Sequence, residues 1–534
     1  MKSVMVNQFK QLPDVKFGRN TFNRSFGTLT TLNAGLLYPV LIDEVSPGET
    51  KKLIASFFGR INTLLFPAYS NLFLDFHLWY VPNRLLWKNW NAFLGESFNP
   101  YGGKKIDTGS LLNPICNAPT GGFPRYGLAD YMTVPPAVEG LFMDAKYLRA
   151  YNLIWNCFYR SETLQEPVTV PTGDGPDDYS LYKLLPRGKR FDYFTSCLPE
   201  PQRGESVYLP LGSTAPVVPN SENPMPTFTV HNDTDAVGNL HTYSASGSPY
   251  NQVHWNGRPG NTNGNLMWTD KGNTGLLADL SQSASTTVQA FRNLIALNQF
   301  LERENRYGDR IQEIILGHYG VTAPDYRLQL PEYLGGSTTR INISTVAQTS
   351  ASQADGTPQG NLSAYGTVAD TGSGFYRSFV EHGVIIGLAS IRADLQYQQG
   401  VDRMLTRRKK LDYFFPEFAG ISDQEVYNRE IYADGSADDA KVFGYQERYG
   451  EYRYHNSYVT GKMRSSDPQS LDAWHTAQYF KNRPTLSADF IKENPPIDRI
   501  IAVTDEPQFT LDCFFDLEDT MELPLYGIPG LERL

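Results

Sequence analysis

The sequence is short of the features that mark several common classes of protein. It contains no run of about 18 apolar residues, so no segment is predicted to cross a membrane as a helix. Its start, Met1-Lys2-Ser3-Val4-Met5, leads into polar residues rather than the apolar core of a signal peptide, and we expect no export. The four cysteines form no Cys-x-x-Cys pair that would indicate a zinc ribbon or a redox motif. We therefore expect a protein of a reducing compartment.

Basic residues are also few for a nucleic-acid binder. Lys and Arg number 47 against 57 Asp and Glu, which gives a net charge of -10. A chain that is acidic overall is not a general binder of polyanions. The 40% of hydrophobic residues nevertheless indicate a folded chain, and 45 Gly with 35 Pro supply many turns. No repeat or linker divides the sequence, so we expect one core with large insertions.

Alternation of apolar residues at every second position predicts β-strands near both ends of the chain. Residues 72–80 and 509–515 alternate in this way, and further apolar runs lie at 29–42 and 53–61. We also predict β-structure at 497–503. Short turns such as Ser46-Pro47-Gly48 separate the runs, which favours antiparallel strands over βαβ units.

Helices are predicted between these strands, with their apolar faces toward the core. Asp144 is a candidate N-cap for a helix that has Leu148 and Tyr151 on one face. Two further helices are predicted at 288–301 and at 309 to about 317 or 320.

The segment from Ser213 to Ser283 has a different composition. Asn, Gly, Ser, Thr and Pro supply about half of it, so it buries little of its own surface. Its scattered aromatic residues are too many for a free linker, and we predict a protruding loop or a small subdomain. A second, shorter stretch of this type runs from Gln348 to Gly374.

A repeated Asp-Thr-Gly-Ser motif, beginning at Asp107 and again at Asp370, suggests an aspartic-type hydrolase. In such enzymes two facing loops make two carboxylates share one proton. That chemistry requires each Asp to follow a buried strand, and neither sequence context predicts one. Asp-Thr-Gly is also common in turns, which is the interpretation we prefer.

No other catalytic, metal or cofactor site is predicted. His231, His241 and His254 are separated by ten and thirteen residues, which matches no compact metal-ligand motif. We find no nucleophile elbow with a triad and no phosphate-binding or dinucleotide-binding glycine loop.

Local charge is more informative than the total. Three basic clusters stand out, at Lys2, Lys10, Lys16, Arg19 and Arg24, at Arg187, Lys189 and Arg190, and at Arg407, Arg408, Lys409 and Lys410, with Arg403 shortly before the last of them. Aromatic residues accompany the first cluster, and basic groups beside aromatic faces suit single-stranded nucleic acid. Salt bridges to the acidic surplus of a neighbouring subunit are an equally open alternative.

Several strings of residues, in one order over nearly the whole chain, closely resemble the major capsid protein of gokushoviruses, a group of microviruses. They include TFNRSFG at 21–27, YPVLIDEVSPGET at 38–50, YVPNRLLWKNW at 80–90, RGKRFDYFTSCLP at 187–199, PEYLGGS at 331–337, YQQG at 397–400, FGYQERYGEYRY at 443–454, DAWH at 472–475, NPPIDR at 494–499 and EPQF at 506–509. The segment from Ser213 to Ser283 lies where this family has a variable insertion.

The resemblance implies an all-β core, a single eight-stranded antiparallel jelly roll with long helix-containing and irregular insertions. It implies a T=1 icosahedral capsid of about sixty copies, made in the bacterial cytoplasm, around circular single-stranded DNA. Implied partners are an internal scaffolding protein, a small basic DNA-binding protein, a pilot protein and a host receptor. No enzymatic activity and no cofactor are implied. The alternatives left open are the hydrolase with Asp107 and Asp370 and a β-sandwich carbohydrate-binding protein.

We accordingly divide the chain into six segments. These are a basic arm at 1–27, first jelly-roll strands at 28–82, inserted loops and helices at 83–212, the variable surface insertion at 213–283, a helical and irregular insertion at 284–374, and the remaining strands at 375–534. Host contact is assigned to the insertion, with Phe228, His231, Tyr243, His254, Trp255 and Trp268 as its candidate residues. DNA contact is assigned to the first and third basic clusters.

Overall fold

The structure is a computed structural model that describes residues 18–95, 111–204, 207, 288–307, 311–320, 329–350 and 358–526, and the backbone of six short strands between 217 and 278. The strands, in chain order, are β1 (Asn20–Asn23), β2 (Phe26–Leu32), β3 (Tyr38–Val45), β4 (Thr50–Ile61), β5 (Leu72–Pro82), β6 (Ile115–Asn117), β7 (Phe142–Asp144), β8 (Val217–Pro219), β9 (Thr227–Val230), β10 (Asp233–Tyr243), β11 (Gln252–Trp255), β12 (Leu266–Trp268), β13 (Leu276–Ala278), β14 (Glu332–Ala347), β15 (Leu362–Ser378), β16 (Gly383–Ala393), β17 (Gln424–Tyr427), β18 (Val442–Gln446) and β19 (Phe509–Met521).

The described α-helices are α1 (Asn83–Leu86), α2 (Trp90–Phe93), α3 (Leu128–Tyr131), α4 (Ala145–Ile154), α5 (Val288–Tyr307), α6 (Ile311–Tyr319), α7 (Asn428–Ile431) and α8 (Ala488–Ile491). A π-helical turn, Trp155–Tyr159, continues α4 directly. In the described part of the chain, no helix combines the length and apolar character needed to span a bilayer.

Nine strands form one antiparallel sheet in the order β1-β19-β4-β15-β14-β5-β16-β3, and β2 also pairs with β19. Because β1 and β2 share the edge position beside β19, the sheet has eight strand positions. It divides into two halves, β2-β19-β4-β15 and β14-β5-β16-β3, which the pairing of β14 with β15 joins. Strands from both chain ends thus lie side by side. The predicted jelly roll is confirmed.

The inner faces of both halves meet in one hydrophobic core. On β19, Phe515 and its alternate neighbours are buried while the residues between them are more exposed. Phe515 meets Phe57 of β4 and Phe76 of β5, with ring centroids 6.0 and 6.3 Å away. The alternation that predicted these strands therefore corresponds to the inward and outward sides of the barrel.

The outer face of the second half is also covered. Trp79 of β5 and Val384 and Ile386 of β16 pack in a second hydrophobic cluster with Leu148 and Ile154 of α4. Because both of its faces are buried, β16 is apolar at almost every position. We call this surface the covered face.

Helix α4 is fixed over the covered face by polar contacts. Asp144 accepts a hydrogen bond from the Lys146 backbone N at 2.9 Å, so the predicted N-cap is confirmed. The buried Arg149 guanidinium forms a two-pronged ion pair with Asp177, at 2.7 Å from Nε and 2.6 Å from Nη2. The Tyr182 hydroxyl donates to the same carboxylate at 2.6 Å.

The outer face of the first half differs. Leu29 of β2, Phe58 of β4 and Phe514 of β19 point outward and are 82%, 51% and 50% exposed. Leu29, Asp512 and Phe58 stand opposite one another in register, so an acidic residue lies between two apolar ones. We call this surface the bare face.

A buried ionic cluster connects the two ends of the chain. Lys51 of β4 is fully buried, and its Nζ lies 2.6, 2.9 and 3.1 Å from carboxylate oxygens of Asp43, Glu49 and Asp519. Burial alone lowers the pKa of Lys51, but Asp43 and Glu49 outweigh that effect and raise the pKa above its usual value. Lys51 thus stays charged.

Two β predictions are wrong. Residues 497–503, predicted as β, contain a 3₁₀ turn at Ile497–Arg499, which follows two consecutive prolines that cannot donate to a sheet. The polar stretch from Gln348 to Gly374 is predicted as a protruding loop or small subdomain, yet β15 of the main sheet begins within it at Leu362. Small inward residues, Ala364, Gly366 and Val368, face the core there.

The helix predictions have mixed outcomes. Helix α6 ends at Tyr319, and Gly320 follows with a φ of +66°, which confirms the predicted stop. Helix α5 is present, but Phe291, Ile295 and Leu297 are 45–49% exposed, so its predicted core-facing position is wrong. Helical periodicity identifies residues that share a face but not what covers that face.

Residues Gln202–Tyr307 form a compact unit separate from the rest of the chain. It contains a four-stranded sheet in the order β11-β10-β9-β12, a β8–β13 pair and α5.

Candidate nucleic-acid interface

The third basic cluster lies in the long insertion between β16 and β19. Beneath it a third hydrophobic cluster includes Tyr193, Phe194, Tyr397, Val426 and Phe443. This cluster fixes the β17–β18 pair and α7, against which the surface segment rests.

Short 3₁₀ turns at Arg403–Leu405, Lys410–Asp412 and Pro416–Phe418 shape the surface segment. Asp412 accepts hydrogen bonds from the backbone N of Arg408 and of Lys409 at 2.8 and 2.7 Å. These backbone bonds lower the pKa of Asp412, so its carboxylate is ionised and already occupied with its own turn.

The segment exposes basic and aromatic side chains together. We call it the basic–aromatic surface and define it as Arg408, Lys409, Lys410, Leu411, Tyr413, Phe414 and Tyr452, all of which are exposed. The Phe414 and Tyr452 ring centroids lie 5.8 Å apart. Cations next to uncovered rings can contact phosphates while the rings stack on bases.

Arg407, the first residue of the cluster, differs from the other three. Its Nη2 lies 3.3 Å from Oε1 of Glu451, and its guanidinium stacks on Tyr452 at 4.6 Å. Its side chain is 11% exposed. The structure therefore brings Arg408, Lys409 and Lys410 to the surface and gives Arg407 a partner within the chain.

The amino-terminal cluster is only partly described. Lys2, Lys10 and Lys16 lie outside the described residues. Arg19 donates to the Gly48 carbonyl at 2.7 Å, and Arg24 forms ion pairs with Asp43, at 3.0 Å, and with Asp519. Both arginines therefore attach β1 to the rest of the sheet, in the segment we had assigned to the arm.

The cluster at 187–190 is not a surface patch. Arg187 lies 3.7 Å from the buried Asp75 carboxylate, and Arg190 lies 2.9 Å from Asp394. Lys189 is buried, and burial lowers its pKa to about 8. This second basic cluster therefore does not form an exposed patch, because its side chains have partners within the chain that are distant in sequence.

Asp370 lies inside β15, whereas we had expected no strand there. Its carboxylate accepts from the hydroxyls of Ser337 and Ser373, and a bulge with Gly372 at a φ of +93° follows. Asp107 lies outside the described residues. Among the residues described with side chains, no group of His, Cys, Asp and Glu could hold a metal ion.

The residues assigned to host contact lie in the separate unit. Phe228 is in β9, Tyr243 in β10, His254 and Trp255 in β11 and Trp268 in β12, while His231 is outside the described residues. Phe228 stands opposite Trp268 across the β9–β12 pair, and His254 stands opposite His241 across β10–β11. The sheet thus brings two of the candidates, Phe228 and Trp268, to facing positions although they are 40 residues apart in sequence.

Two arginines of this region were not predicted from the sequence. Arg429 and Arg448 approach the third basic cluster from two other segments of the insertion. Their only sequence signal is a tyrosine as a near neighbour, Tyr427 for Arg429 and Tyr449 for Arg448.

An eight-stranded jelly roll with long insertions is an architecture of viral capsid and lectin domains, and the fold therefore points to a shell or recognition protein. Similarity to known proteins decides between these two classes. The chain belongs to the capsid protein (F protein) family, whose model matches residues 10–531.

Relatives named Capsid protein VP1 align over nearly their whole length. The chain is 40% identical to that of Bdellovibrio phage phiMH2K, over 98% of this chain and 97% of the relative. It is 38% identical to that of Chlamydia phage 1, over 100% and 99%, and 31% identical to that of Spiroplasma virus 4, over 99% and 98%.

The gokushovirus resemblance is thereby confirmed. The chain is a major capsid protein, an oligomeric component of a phage virion, and a structural protein rather than an enzyme. Neither the hydrolase nor the carbohydrate-binding alternative is supported.

Proposed function

We propose that the chain builds a small T=1 icosahedral shell of about sixty copies around a circular single-stranded DNA genome. The jelly roll, the capsid family and the full-length relatives support this. Electron microscopy of virions that contain the chain tests the proposal. Particles of one small diameter with icosahedral symmetry are expected, and tubes or particles with a larger triangulation number would contradict it.

The basic–aromatic surface is proposed to contact the genome. The observation that carries this is the exposure of Arg408, Lys409 and Lys410 beside the exposed rings of Tyr413 and Phe414. Lys2, Lys10 and Lys16 belong to the same proposal. Arg19, Arg24 and Arg407 rank behind them, because each would have to give up a partner within the chain.

Replacement of Arg408, Lys409 and Lys410 by Gln tests the genome contact. We expect less DNA per particle at unchanged particle yield, and a shallower salt dependence of oligonucleotide binding. Lys441→Gln is the matched control, because Lys441 is an exposed cation elsewhere on the insertion. If shells fail to form while the DNA content of surviving particles is unchanged, the cluster is an inter-subunit salt-bridge site.

The insertion at 213–283 is proposed to stand on the outside of the shell, clustered at the three-fold axes, and to contact the host receptor through Phe228, His231, Tyr243, His254, Trp255 and Trp268. Its composition and its separation as a compact unit support this. Shortening the insertion should preserve particles and impair adsorption. Failure of antibodies to reach it on intact particles would contradict the placement.

Further partners follow from charge. About sixty copies at -10 each carry roughly -600, which opposes the packing of a polyanion. We therefore propose a small basic DNA-binding protein as a packaging partner. Membership of the capsid family, rather than charge, is the basis for also proposing an internal scaffolding protein, a pilot protein and assembly in the host cytoplasm. Packaging reconstituted with and without a small cationic protein tests this, and equal DNA content in both cases would overturn it.

A further inference from the structure

A cavity of about 420 Å³ opens next to the basic–aromatic surface. Side chains from β17, α7 and the segment after β18 line it along with the surface segment. Its wall includes Arg403, Arg407, Arg429, Arg448, Tyr427 and Tyr449, together with four carboxylates.

Two of these carboxylates are already occupied. Glu451 faces Arg407 at 3.3 Å and Arg403 at 3.8 Å, and its other oxygen accepts from Gln424 Nε2 at 2.7 Å. Asp412 is bound to backbone N–H groups of its own turn. Of the other two carboxylates, Glu425 accepts a hydrogen bond from the Tyr427 side chain, and Asp423 is not free either. Glu451 and Asp412 are therefore engaged with groups other than Arg429 and Arg448.

Arg429 and Arg448 differ from Arg403 and Arg407 in their contacts. Within the described residues neither forms an ion pair, and each guanidinium instead lies over a ring, Arg429 at 5.1 Å from Tyr427 and Arg448 at 5.3 Å from Tyr449. Stacking fixes the plane of a guanidinium and leaves the N–H groups at its edge to find acceptors. The Nε atoms of Arg407, Arg429 and Arg448 are buried and have no hydrogen-bond partner in the described part of the chain.

Buried N–H groups without acceptors are costly, and a concentration of them at one cavity indicates a missing anion. The tetrahedral phosphate group offers several acceptor oxygens that match the fork of arginine. A carboxylate has two oxygens in one plane and could serve fewer of these donors.

We propose that this cavity binds a phosphate group, held by Arg429 and Arg448 with Arg407 at its edge. The inference rests on the proposed function in one respect, because the adjoining basic–aromatic surface would bring the backbone of single-stranded DNA to the cavity. A free phosphate ion or a nucleotide presents the same chemistry.

Calorimetric titration of the purified full-length chain with inorganic phosphate, dTMP and a short oligo-dT tests the proposal. In the Arg429→Gln/Arg448→Gln variant we expect the affinity for phosphate and dTMP to fall by about tenfold or more. Arg453→Gln is the control, because Arg453 is an exposed arginine that pairs with Glu447, and it should bind as the wild type does. An Arg429→Lys/Arg448→Lys variant keeps the charge and should lose part of the affinity if the double Gln variant does not fold.

Unchanged phosphate binding in a folded double variant would overturn the inference, and so would a wild type that binds none of the three probes. Lys409→Gln/Lys410→Gln separates the two proposals. It should weaken oligo-dT binding and leave phosphate binding intact. If the wild type binds phosphate but not oligo-dT, the cavity is a site for free phosphate or a nucleotide, and the proposed genome contact is wrong. If the Arg429→Gln/Arg448→Gln variant also loses oligo-dT binding, the bound phosphate group is that of the DNA backbone.

Discussion

Strands β16 and β19 face the same core from opposite halves of the barrel, but their sequences are unlike. In β16, GVIIGLASIRA is buried at all but one position, because α4 and its neighbours cover the outer side. In β19, FTLDCFFDLEDTM alternates between buried and more exposed positions from Phe509 to Thr520, because its outer side is bare. A strand sequence therefore reports how many of its faces are covered, and that number differs between the two halves of one sheet.

The covered face should be far more sensitive to substitution than the bare face. The largest effect is expected for Arg149→Met in α4, which leaves the buried Asp177 carboxylate without its ion-pair partner and with only the Tyr182 hydroxyl. A loss of about 3–5 kcal/mol in the free energy of unfolding is expected. Denaturant unfolding measures the loss. The control is Arg60→Met, because Arg60 occupies an exposed position of β4 on the bare face. Equal losses in both variants would remove the contrast between the faces.

Ile386→Ala extends the comparison of the covered and bare faces to apolar side chains. Ile386 is completely buried on the covered face, and its truncation should cost about 2–4 kcal/mol through lost contacts and the cavity left behind. Phe514→Ala on the bare face removes a larger side chain and should cost about 1 kcal/mol or less. Thermal unfolding ranks the two, and a larger loss for Phe514→Ala would show that the bare face is packed.

The covered face should also make stability depend on pH. Burial, helped by Arg187, lowers the pKa of His77 to about 4, below its unfolded value near 6.5. His77 is therefore neutral when folded, and its contribution, on the order of 3 kcal/mol, is present above pH 6.5 and lost as the pH falls toward 4. His77→Gln should flatten the unfolding free energy over this window relative to the wild type. An unchanged profile would contradict this.

The smallest effect is expected at Leu29, which is 82% exposed. Leu29→Ser should change the free energy of unfolding by no more than about 0.5 kcal/mol. A loss of several times that value in the isolated chain would mean that the bare face has a cover within the same molecule.

A feature of the fold could be predicted from the sequence where it depends on residues that are close together in the chain. The strands at 72–80 and 509–515 and the Asp144 cap were predictable, because alternation and capping are local. The partners of Arg24, Arg187 and Lys189 were not, because Asp43, Asp75, Asp519 and the groups around Lys189 are brought near only by the fold. The predictions for α5 and β15 failed for a related reason, since the burial of a side chain depends on which elements of the fold pack against it.

The position of β19 has a consequence for biosynthesis. It lies between β2 and β4, so both strands keep a free edge until β19 has left the ribosome. The Lys51 side chain likewise lacks its Asp519 partner, 468 residues later in the chain, until then. Closure of the barrel therefore depends on a strand made long after β2 and β4, and until then the nascent chain carries an open sheet edge that neighbouring nascent copies could join.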